Sequence, residues 1–352
     1  MIVTLLTVIC VTAVSAFAGT VTDALGRKVE VPDKVERIVA LGSSMSFVTY
    51  LRAQKLVAGV EDFDKKPKFT KPYIYANREM FKSLPVVAKG GPGRSVNIEA
   101  VIGVRPDVVF LNSLDQSEAE QLQAKLRIPV VALTYGLPSF ELDKFYASVR
   151  VAGEVLSRQK RAEEVVRYTD SLIKQLKKGA GKNAYIGGVS FKGFHGIDST
   201  SADFIPFNLT GIANVADGTG KKGQIFVNKE FIIAKDPKLI FIDGNGLAIV
   251  KKDFADNRQF YSMLSAFKSG EVYTVLPDTS YFVNPEIMLA NAFVMAKAAY
   301  PAEYKKLDVV KKADEIIAFY NGKPLYKALA ADSTEYGRLK LAGLELVFEH
   351  AK

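Results

Sequence analysis

Residues 108–111 read Val-Val-Phe-Leu, a short apolar run that ends at Asn112. Similar runs lie at 38–41 (IVAL), 57–60 (VAGV) and 130–133 (VVAL), each followed by small or polar residues. Because these runs do not alternate with polar residues, they indicate strands buried on both faces, as in a parallel sheet. Helix-like segments separate several of the runs, so the pattern predicts an α/β lobe over residues 19–139.

The two ends of the chain extend this pattern. In VTDALGRKVEVP (21–32), two alternating segments flank Leu25-Gly26 and predict a small β-hairpin. Later strand candidates are 184–190 (AYIGGVS), 239–242 (LIFI) and 271–276 (EVYTVL). Helices are expected at 285–299, at 308–320 and over the last fifteen residues, which gives a second α/β lobe over residues 181–352.

A different pattern occupies residues 140–178, where apolar residues recur at three- and four-residue steps up to a stop at Gly179 and Gly181. This spacing predicts one amphipathic helix, about 50 Å long at 1.5 Å per residue. The helix could belong to a bundle. Because α/β patterns stand on both sides, we expect instead a connecting helix over 140–180. The predicted fold class is therefore α/β, with two Rossmann-like lobes joined by a long α-helix.

The first eighteen residues are almost wholly apolar and end in Ala16-Phe17-Ala18, although no Lys or Arg precedes the apolar run. A short apolar run with small residues at its end is typical of a secretory signal peptide. We expect cleavage after Ala18 and a periplasmic location. The one cysteine, Cys10, lies inside this segment, so the mature chain would have no disulfide, thiolate nucleophile or iron–sulfur cluster.

The net charge is +9, from 47 Lys and Arg against 38 Asp and Glu. A basic protein outside the cytoplasm favours anionic ligands or an anionic membrane face, unless its charges merely keep the surface soluble. The charges are spread along the chain, and no basic run is interleaved with aromatic residues, so nucleic acid is not an expected partner.

Catalytic motifs are missing. The chain has two histidines, and no HExxH or DxDxDG pattern occurs. The nearest match to a hydrolase GxSxG turn, around Ser190, has Lys192 in place of the last glycine. Residues 218–223 (GTGKKG) match GxGxxG, but neither a clear strand precedes them nor a clear helix follows. These observations predict a binding protein with no cofactor rather than an enzyme.

Ligands of open α/β sheets bind at the carboxyl ends of the strands. In this chain those ends carry aromatic, hydroxyl and amide groups, which can stack on a flat ligand and hydrogen-bond its oxygens. Arg94 adds a positive charge from the glycine-rich segment GGPGRS. The candidate ligand-binding residues are Ser44, Tyr73, Tyr75, Arg94, Asn112, Tyr135, Phe191, Lys192, His195, Asn245 and Tyr261.

His195 stands between Gly193 and Gly196, so the backbone can turn sharply and present the ring. A neutral imidazole could fill an open position on a chelated metal or hydrogen-bond the ligand. Alternatively, its ring nitrogen holds a loop carbonyl and touches no ligand. The sequence gives no firm set of metal ligands.

Several segments together resemble the periplasmic solute-binding proteins of ABC importers that carry ferric siderophores, haem and cobalamin. The resemblance covers nearly the whole mature chain and rests on TDALGRKVEVPDKVERIVAL, LVAGV, NIEAVIGVRPDVVF, KEFIIAKDPKLIFID and NPEIMLANAFVMAKAAYP, in that order. It implies two α/β lobes, a rigid connecting helix, a shallow cleft, no catalysis and delivery to an inner-membrane ABC permease.

The resemblance also implies how the permease is docked. The family often has a glutamate after its first strand, thought to pair with a permease arginine, but the matching position here is Phe47. The corresponding acid of the second lobe would be Glu286. Glu61 or Asp62 could replace the missing first acid.

The leading hypothesis from the sequence is a monomeric periplasmic protein that captures an iron chelate of the siderophore type. Within the same family the cargo could be cobalamin, haem, a nickel or cobalt chelate, or an oxyanion such as molybdate. An extracytoplasmic enzyme or sensor built on the same lobes is the alternative from a different class. Return of an unchanged ligand would favour the carrier, and turnover of the ligand would favour the enzyme.

Overall fold

The computed structural model describes residues 17–351 apart from residues 67–70, 92, 114, 137–138, 177–178, 180–181, 191–192, 280–281 and 343–344. Most of the predicted signal peptide, residues 1–18, lies outside this range. Among the described helices, none is both long and apolar enough to cross a membrane.

The N-terminal half forms a hairpin and a six-stranded sheet. The hairpin pairs β1 (Phe17–Thr22) with β2 (Lys28–Pro32), and the sheet has the order β6-β5-β4-β3-β7-β8. Its strands are β3 (Ile38–Leu41), β4 (Val57–Glu61), β5 (Val86–Lys89), β6 (Ser95–Val96), β7 (Val108–Asn112) and β8 (Val130–Leu133). All neighbours are parallel except β5 and β6. The helices are α1 (Met45–Tyr50), α2 (Pro72–Ser83), α3 (Ile98–Gly103) and α4 (Gln116–Leu126).

Two helices follow, α5 (Leu142–Val155) and α6 (Gln159–Gln175). The single helix predicted over 140–180 is therefore wrong. Ser157 adopts a left-handed conformation (φ 53°), which ends α5, and the two helices pack so closely that a Cβ on Gly153 would lie 2.6 Å from that of Ala162. The apolar stripe carries a signal of this break, since Ala162 is its one apolar member between Leu156 and Val165.

The C-terminal half contains a second six-stranded sheet of order β11-β9-β13-β14-β15-β16. Its strands are β9 (Asn183–Gly187), β11 (Ala213–Asn214), β13 (Leu239–Asp243), β14 (Val272–Val275), β15 (Gly337–Ala342) and β16 (Glu345–His350), while β10 (Ser199–Ala202) pairs with β12 (Gly223–Phe226). The helices are α7 (Ile205–Thr210), α8 (Lys229–Lys235), α9 (Leu247–Asp256), α10 (Arg258–Met263), α11 (Ser265–Ser269), α12 (Pro285–Ala299), α13 (Val309–Asn321) and α14 (Tyr326–Asp332).

The predicted α/β class is confirmed, but the predicted terminal helix is wrong. The last residues form the antiparallel strands β15 and β16 at the edge of the second sheet. Their side chains alternate with a period of two: Leu346 and Phe348 pack against a buried cluster, while Val347 between them is 45% exposed. This period is that of a strand with one covered face.

The central strands of each sheet are buried on both faces. In β3, Ile38 and Ala40 join one hydrophobic cluster and Val39 and Leu41 join another. Strand β13 is divided in the same way, and its Leu239 and Phe241 belong to the same cluster as Ile38. The inner faces of the two sheets, together with α5, α6, α12 and α13, therefore share one continuous core.

Two arginines join the C-terminal end of α13 to the N-terminal half. Arg52 donates to the carbonyl oxygens of Phe319 (2.8 Å) and Tyr320 (3.2 Å). Arg161 of α6 donates to the oxygens of Tyr50 (2.9 Å) and Phe319 (2.6 Å). Cations at a helix C-terminus satisfy its free carbonyl groups and complement the helix dipole.

The hairpin covers the edge strand β8 through a buried ion pair. Asp23 Oδ2 accepts from the backbone N–H of Ala132 (3.1 Å), and the N–H of Ala24 donates to the oxygen of Ala132 (3.0 Å). Arg27 pairs with Asp23 at 2.6 Å and donates to the oxygen of Val130. These bonds occupy positions that another strand would otherwise fill.

We expect Asp23→Ala to destabilise the protein by about 3 kcal/mol, because it leaves the Arg27 guanidinium and an edge N–H buried without their partner. Thermal unfolding followed by circular dichroism measures the effect. Asp33→Ala, at an exposed position on the same segment, is the matched control. Equal melting temperatures for the two variants would contradict the role given to Asp23.

Candidate functional site

Polar groups collect where the parallel strands of the first sheet end. Gly42 and Ser43 follow β3, Glu61 ends β4, and Asn112 ends β7. Gly42 donates its N–H to Glu61 Oε1 at 2.9 Å, so the ends of β3 and β4 are tied together. This carboxyl edge is where the sequence predicted a ligand site.

Arg94 lies directly over Gly42. Gly42 has φ 65°, and a Cβ there would lie 2.1 Å from Arg94 Nη1, so both the conformation and the contact require glycine. Arg94 Nη1 donates to the oxygen of Asn112 at 3.3 Å, and Nη2 pairs with Glu118. The guanidinium is thus held in one place at the end of β3.

Asn112, whose backbone oxygen accepts from this guanidinium, has an unused donor on its side chain. Its side chain is 3% exposed, and its Nδ2 has no hydrogen-bond partner among the described residues. A buried amide without a partner carries a desolvation cost, and such groups commonly mark a position that a ligand or water fills. Arg94 and Asn112, both predicted, are therefore brought together as donors at one corner of the edge.

Lys71 is a second cation at the same edge and was not among the predicted site residues. Its side chain is buried, and Nζ donates to Ser43 Oγ at 2.8 Å and to Asn284 Oδ1 at 3.4 Å. Burial lowers the pKa of Lys71 to about 7, although nearby Glu286, Asp64 and Glu61 act to raise it. None of the described carboxylates lies within 4.0 Å of Nζ.

Lys71 and Asn284 occupy equivalent positions in their halves. Each is the N-cap residue before a helix that begins with proline, α2 at Pro72 and α12 at Pro285, and neither side chain caps its helix. Proline at the first helical position is common, so Lys-Pro and Asn-Pro predict helix starts. The same dipeptides were the one sequence signal that could have located this contact between the two halves.

Three of the predicted residues are buried in the core next to this edge. Ser44 Oγ donates to the oxygen of Leu41 (2.5 Å), and Tyr73 donates to Asp64 Oδ1 (2.7 Å). Tyr135 stacks on Phe47 with ring centroids 4.4 Å apart, and its hydroxyl contacts Ser46. All three are buried, so they support the site. Tyr75 is half-buried, and its hydroxyl has no partner among the described residues.

The second sheet contributes an aromatic surface at the end of β9. His195 is half-buried and meets the ring of Phe226 edge-on at 4.9 Å, while Phe194 and Phe226 are 59% and 53% exposed. Asn245, after β13, is half-buried, and its N–H donates to Asp243 Oδ1 at 2.8 Å. Phe191 and Lys192, both predicted site residues, lie outside the described residues.

Tyr261 is not at this edge. It lies on α10 in the second core, is 0% exposed, and donates to Asp253 Oδ2 at 2.6 Å. Its predicted ligand contact is therefore wrong in this structure. The aromatic ring packs with Phe254 and Phe267, which is the ordinary use of a tyrosine in a helix next to a sheet.

The docking role predicted for Glu286 does not agree with its position in the fold. Its carboxylate is 0% exposed and accepts from the Tyr50 hydroxyl (2.5 Å) and from Asn321 Nδ2 (2.9 Å). Burial raises the pKa of Glu286, which the two hydrogen bonds oppose. A carboxylate enclosed in this way offers no surface to a permease, so we replace its predicted docking role with a structural one. Phe47, its predicted counterpart, is buried too.

Two buried carboxyl groups end the central strands of the second sheet. Asp243 and Asp278 are 4% and 7% exposed. Burial raises the pKa of Asp278 to about 6, and burial together with Asp278 raises the pKa of Asp243. In the described part of the chain, no cluster of three or more His, Cys, Asp or Glu side chains could hold a metal ion.

We expect Glu286→Ala to lower the melting temperature, with a cost of about 2–4 kcal/mol, because it leaves a cavity and two buried donors without an acceptor. Differential scanning calorimetry measures this directly. Glu303→Ala, at an exposed position beyond the same helix, should melt like the wild type. If Glu286→Ala melts at the wild-type temperature, the structural role of Glu286 is contradicted and the docking role is favoured again.

Asp278→Asn should stabilise the protein at pH 7.5 and not at pH 4. The folded-state pKa of Asp278, about 6, exceeds the usual value of 3.8. The contribution of this carboxyl group to the free energy of unfolding is therefore fully present at low pH and is lost as the pH rises through this interval. Asparagine imitates the protonated form and removes a cost of about 3 kcal/mol. Urea unfolding at both pH values tests this, with exposed Asp332→Asn as control. An equal gain at both values would rule out titration as the cause.

The sequence profile of the periplasmic binding protein family matches residues 57–279. A curated relative, the molybdate-binding protein MolA of Haemophilus influenzae, is 25% identical over 322 residues, covering 84% of this chain and 88% of MolA. YvrC of Bacillus subtilis, an uncharacterized ABC transporter substrate-binding lipoprotein, is 23% identical over 300 residues, covering 82% of this chain and 88% of YvrC.

Solved structures agree in fold. MolA of Haemophilus influenzae bound to molybdate has a TM-score of 0.68 and 22% identity, over 87% of this chain and 99% of MolA. FepB of Veillonella parvula, a TroA-like periplasmic binding protein, has a TM-score of 0.66 and 19% identity, over 95% of this chain and 99% of FepB. The chain therefore belongs to the periplasmic binding protein family and has the class III fold of its ABC-importer members.

Proposed function

We propose that this protein is the substrate-binding component of an ABC importer and that its cargo is a small oxyanion of the molybdate class. The oxyanion would bind at the carboxyl edge of the first sheet and be delivered unchanged to the permease. The relative MolA, named for molybdate binding, supports this cargo class.

The observation that carries the proposal is the hydrogen bond from Arg94 to the backbone oxygen of Asn112, a residue whose buried side-chain amide has no partner among the described residues. An oxyanion accepts hydrogen bonds through every oxygen, so its site needs donors and positive charge with few competing acceptors. Arg94 supplies the charge in a fixed position over Gly42, and Asn112 Nδ2 supplies a buried donor. Two carboxylates compete for donors at this edge: Glu118 pairs with Arg94 and accepts from Ser113, and Glu61 accepts from the N–H of Gly42. An oxyanion at this corner would have to displace Glu118, which is 39% exposed, from Arg94.

The narrow gap between the halves supports a small cargo over a bulky one. Lys71 from the first half and Asn284 from the second are 3.4 Å apart, and Tyr50 reaches Glu286 at 2.5 Å. A tetrahedral oxyanion needs only a small separation of these contacts. A siderophore complex is many times larger and would have to part them widely.

An iron chelate is the second candidate, because of the exposed rings of Phe194 and Phe226 beside His195. Aromatic side chains at the mouth of a site suit an organic ligand with apolar surface, and an imidazole suits a chelated metal. This cargo was the leading hypothesis from the sequence. It would bind at these rings rather than between Arg94 and Asn112.

Isothermal titration calorimetry of the purified mature protein separates the two cargoes. We expect binding of molybdate and tungstate, and no heat from a ferric trihydroxamate chelate, haemin or cobalamin. Arg94→Ala and Asn112→Ala should each weaken molybdate binding by about 10- to 100-fold, the usual effect of losing a hydrogen bond to a charged group. Arg78→Ala, on α2 and away from this corner, is the control for lost charge.

The opposite pattern would overturn the proposal. Tight binding of the ferric chelate without any response to molybdate or tungstate would assign the protein to chelate uptake. In that case Phe226→Ala should weaken binding, whereas Asn112→Ala should not. Chemical change of any cargo, detected by mass spectrometry after incubation, would instead identify an enzyme.

A further inference from the structure

We propose that Lys71 and Asn284 contact the cargo oxyanion from opposite sides, one from each half of the protein, and that the hydrogen bond between them gives way when the oxyanion binds. This inference rests on the proposed function and deepens it, because it names the residues that close the site and the charge that they select.

Lys71 is incompletely coordinated. An ammonium group has three N–H donors. One makes a hydrogen bond of 2.8 Å to Ser43 Oγ, and the bond to Asn284 Oδ1 is long, at 3.4 Å. The ring of Tyr73 adds a cation–π contact, with its centroid 5.6 Å from Nζ. Since no described carboxylate lies within 4.0 Å of this buried Nζ, the charge lacks the close anionic partner that burial normally requires.

The neighbouring carboxylates are committed to other donors. Glu286 accepts from Tyr50 and Asn321, and Asp64 accepts from Tyr73 and from the N–H of Glu61. Glu61 accepts from the N–H of Gly42. These acids lower the electrostatic cost of the buried ammonium from a distance, yet they leave its free donor available to a ligand.

Asn284 does not use its side chain as residues at its position in a helix usually do. Asparagine and aspartate are preferred at helix N-caps because their side chains accept from the first turn. Asn97, Asp115, Asn228 and Asp308 all do so here. Asn284 stands at the N-cap of the 15-residue helix α12 but makes no capping bond, and its side chain reaches Lys71.

The charge and the hydrogen-bond donors at this contact favour an anion. Asn284 precedes the first turn of α12, a helix of 15 residues. A helix N-terminus carries about half a positive charge. Ser43, which accepts from Lys71, adopts φ 71°, a strained conformation for serine that is typical of functional sites. One helix end, an ammonium and a hydroxyl therefore lie close together and favour a compact anion.

Lys71→Met and Asn284→Asp test the inference, with molybdate as the probe in calorimetric titrations. Methionine matches the length of lysine without its charge, and aspartate places a like charge against the oxyanion. Each variant should weaken molybdate binding by about 10- to 100-fold. Lys297→Met is the matched control, because Lys297 lies in the last turn of α12 and donates to the oxygen of Leu307.

Melting of the ligand-free variants separates binding from structure. Removing an under-coordinated buried charge should leave the melting temperature of Lys71→Met unchanged or raised. A wild-type affinity in both Lys71→Met and Asn284→Asp, or a loss of affinity that only follows a loss of stability, would overturn the inference. If the wild type binds neither molybdate nor tungstate, the proposed function itself fails, which is a distinct result.

The pH dependence of binding gives an independent test. The pKa of Lys71 is about 7, and an oxyanion holds the ammonium form, so binding at higher pH must also take up a proton. Wild-type affinity for molybdate, which stays a dianion, should fall by up to about tenfold per pH unit between pH 7.5 and 9. In Lys71→Met this dependence should disappear. A wild-type affinity that is constant over this range would overturn the role of Lys71.

Discussion

Burial of the central strands of both sheets on both faces is the constraint on which the rest of the structure depends. Alternate residues of β3 and β13 enter different hydrophobic clusters, and the inner faces of the two sheets share one of them. On β3 and β13 the one polar side chain is that of Asp243, the last residue of β13. Polar side chains gather where these strands end, and the carboxyl ends of the parallel strands bring those of one half opposite those of the other.

The edge so formed keeps charges that a stable core would avoid. Lys71, Asp243 and Asp278 are all buried. Burial lowers the pKa of Lys71 and raises the pKa values of Asp243 and Asp278, so it favours the neutral form of each side chain. Each shift is a cost to the free energy of folding at neutral pH.

The sequence predicted what local patterns determine. The runs at 38–41 and 130–133 match β3 and β8, and 285–299 matches α12, because apolar runs and proline mark such elements without reference to the rest of the chain. Burial against a distant segment leaves no such mark. From the sequence, Glu286 is a plausible surface acid, but in the fold it is buried against Tyr50. Tyr261 is a plausible ligand contact, but in the fold it packs against Phe267. Lys71 differs from other lysines only through its contact with Asn284.

The edges of the sheets bear on how copies of this chain behave when crowded. Unpaired edge strands can pair with another molecule and start aggregation. Among the described strands, β6 and β11 have two residues each, and the Asp23 carboxylate occupies the N–H of Ala132 on β8. The remaining edge of the two six-stranded sheets, β16, carries Glu349 and His350. Pairing of this strand with another copy would bring these polar side chains against their counterparts, which opposes the start of aggregation at this edge.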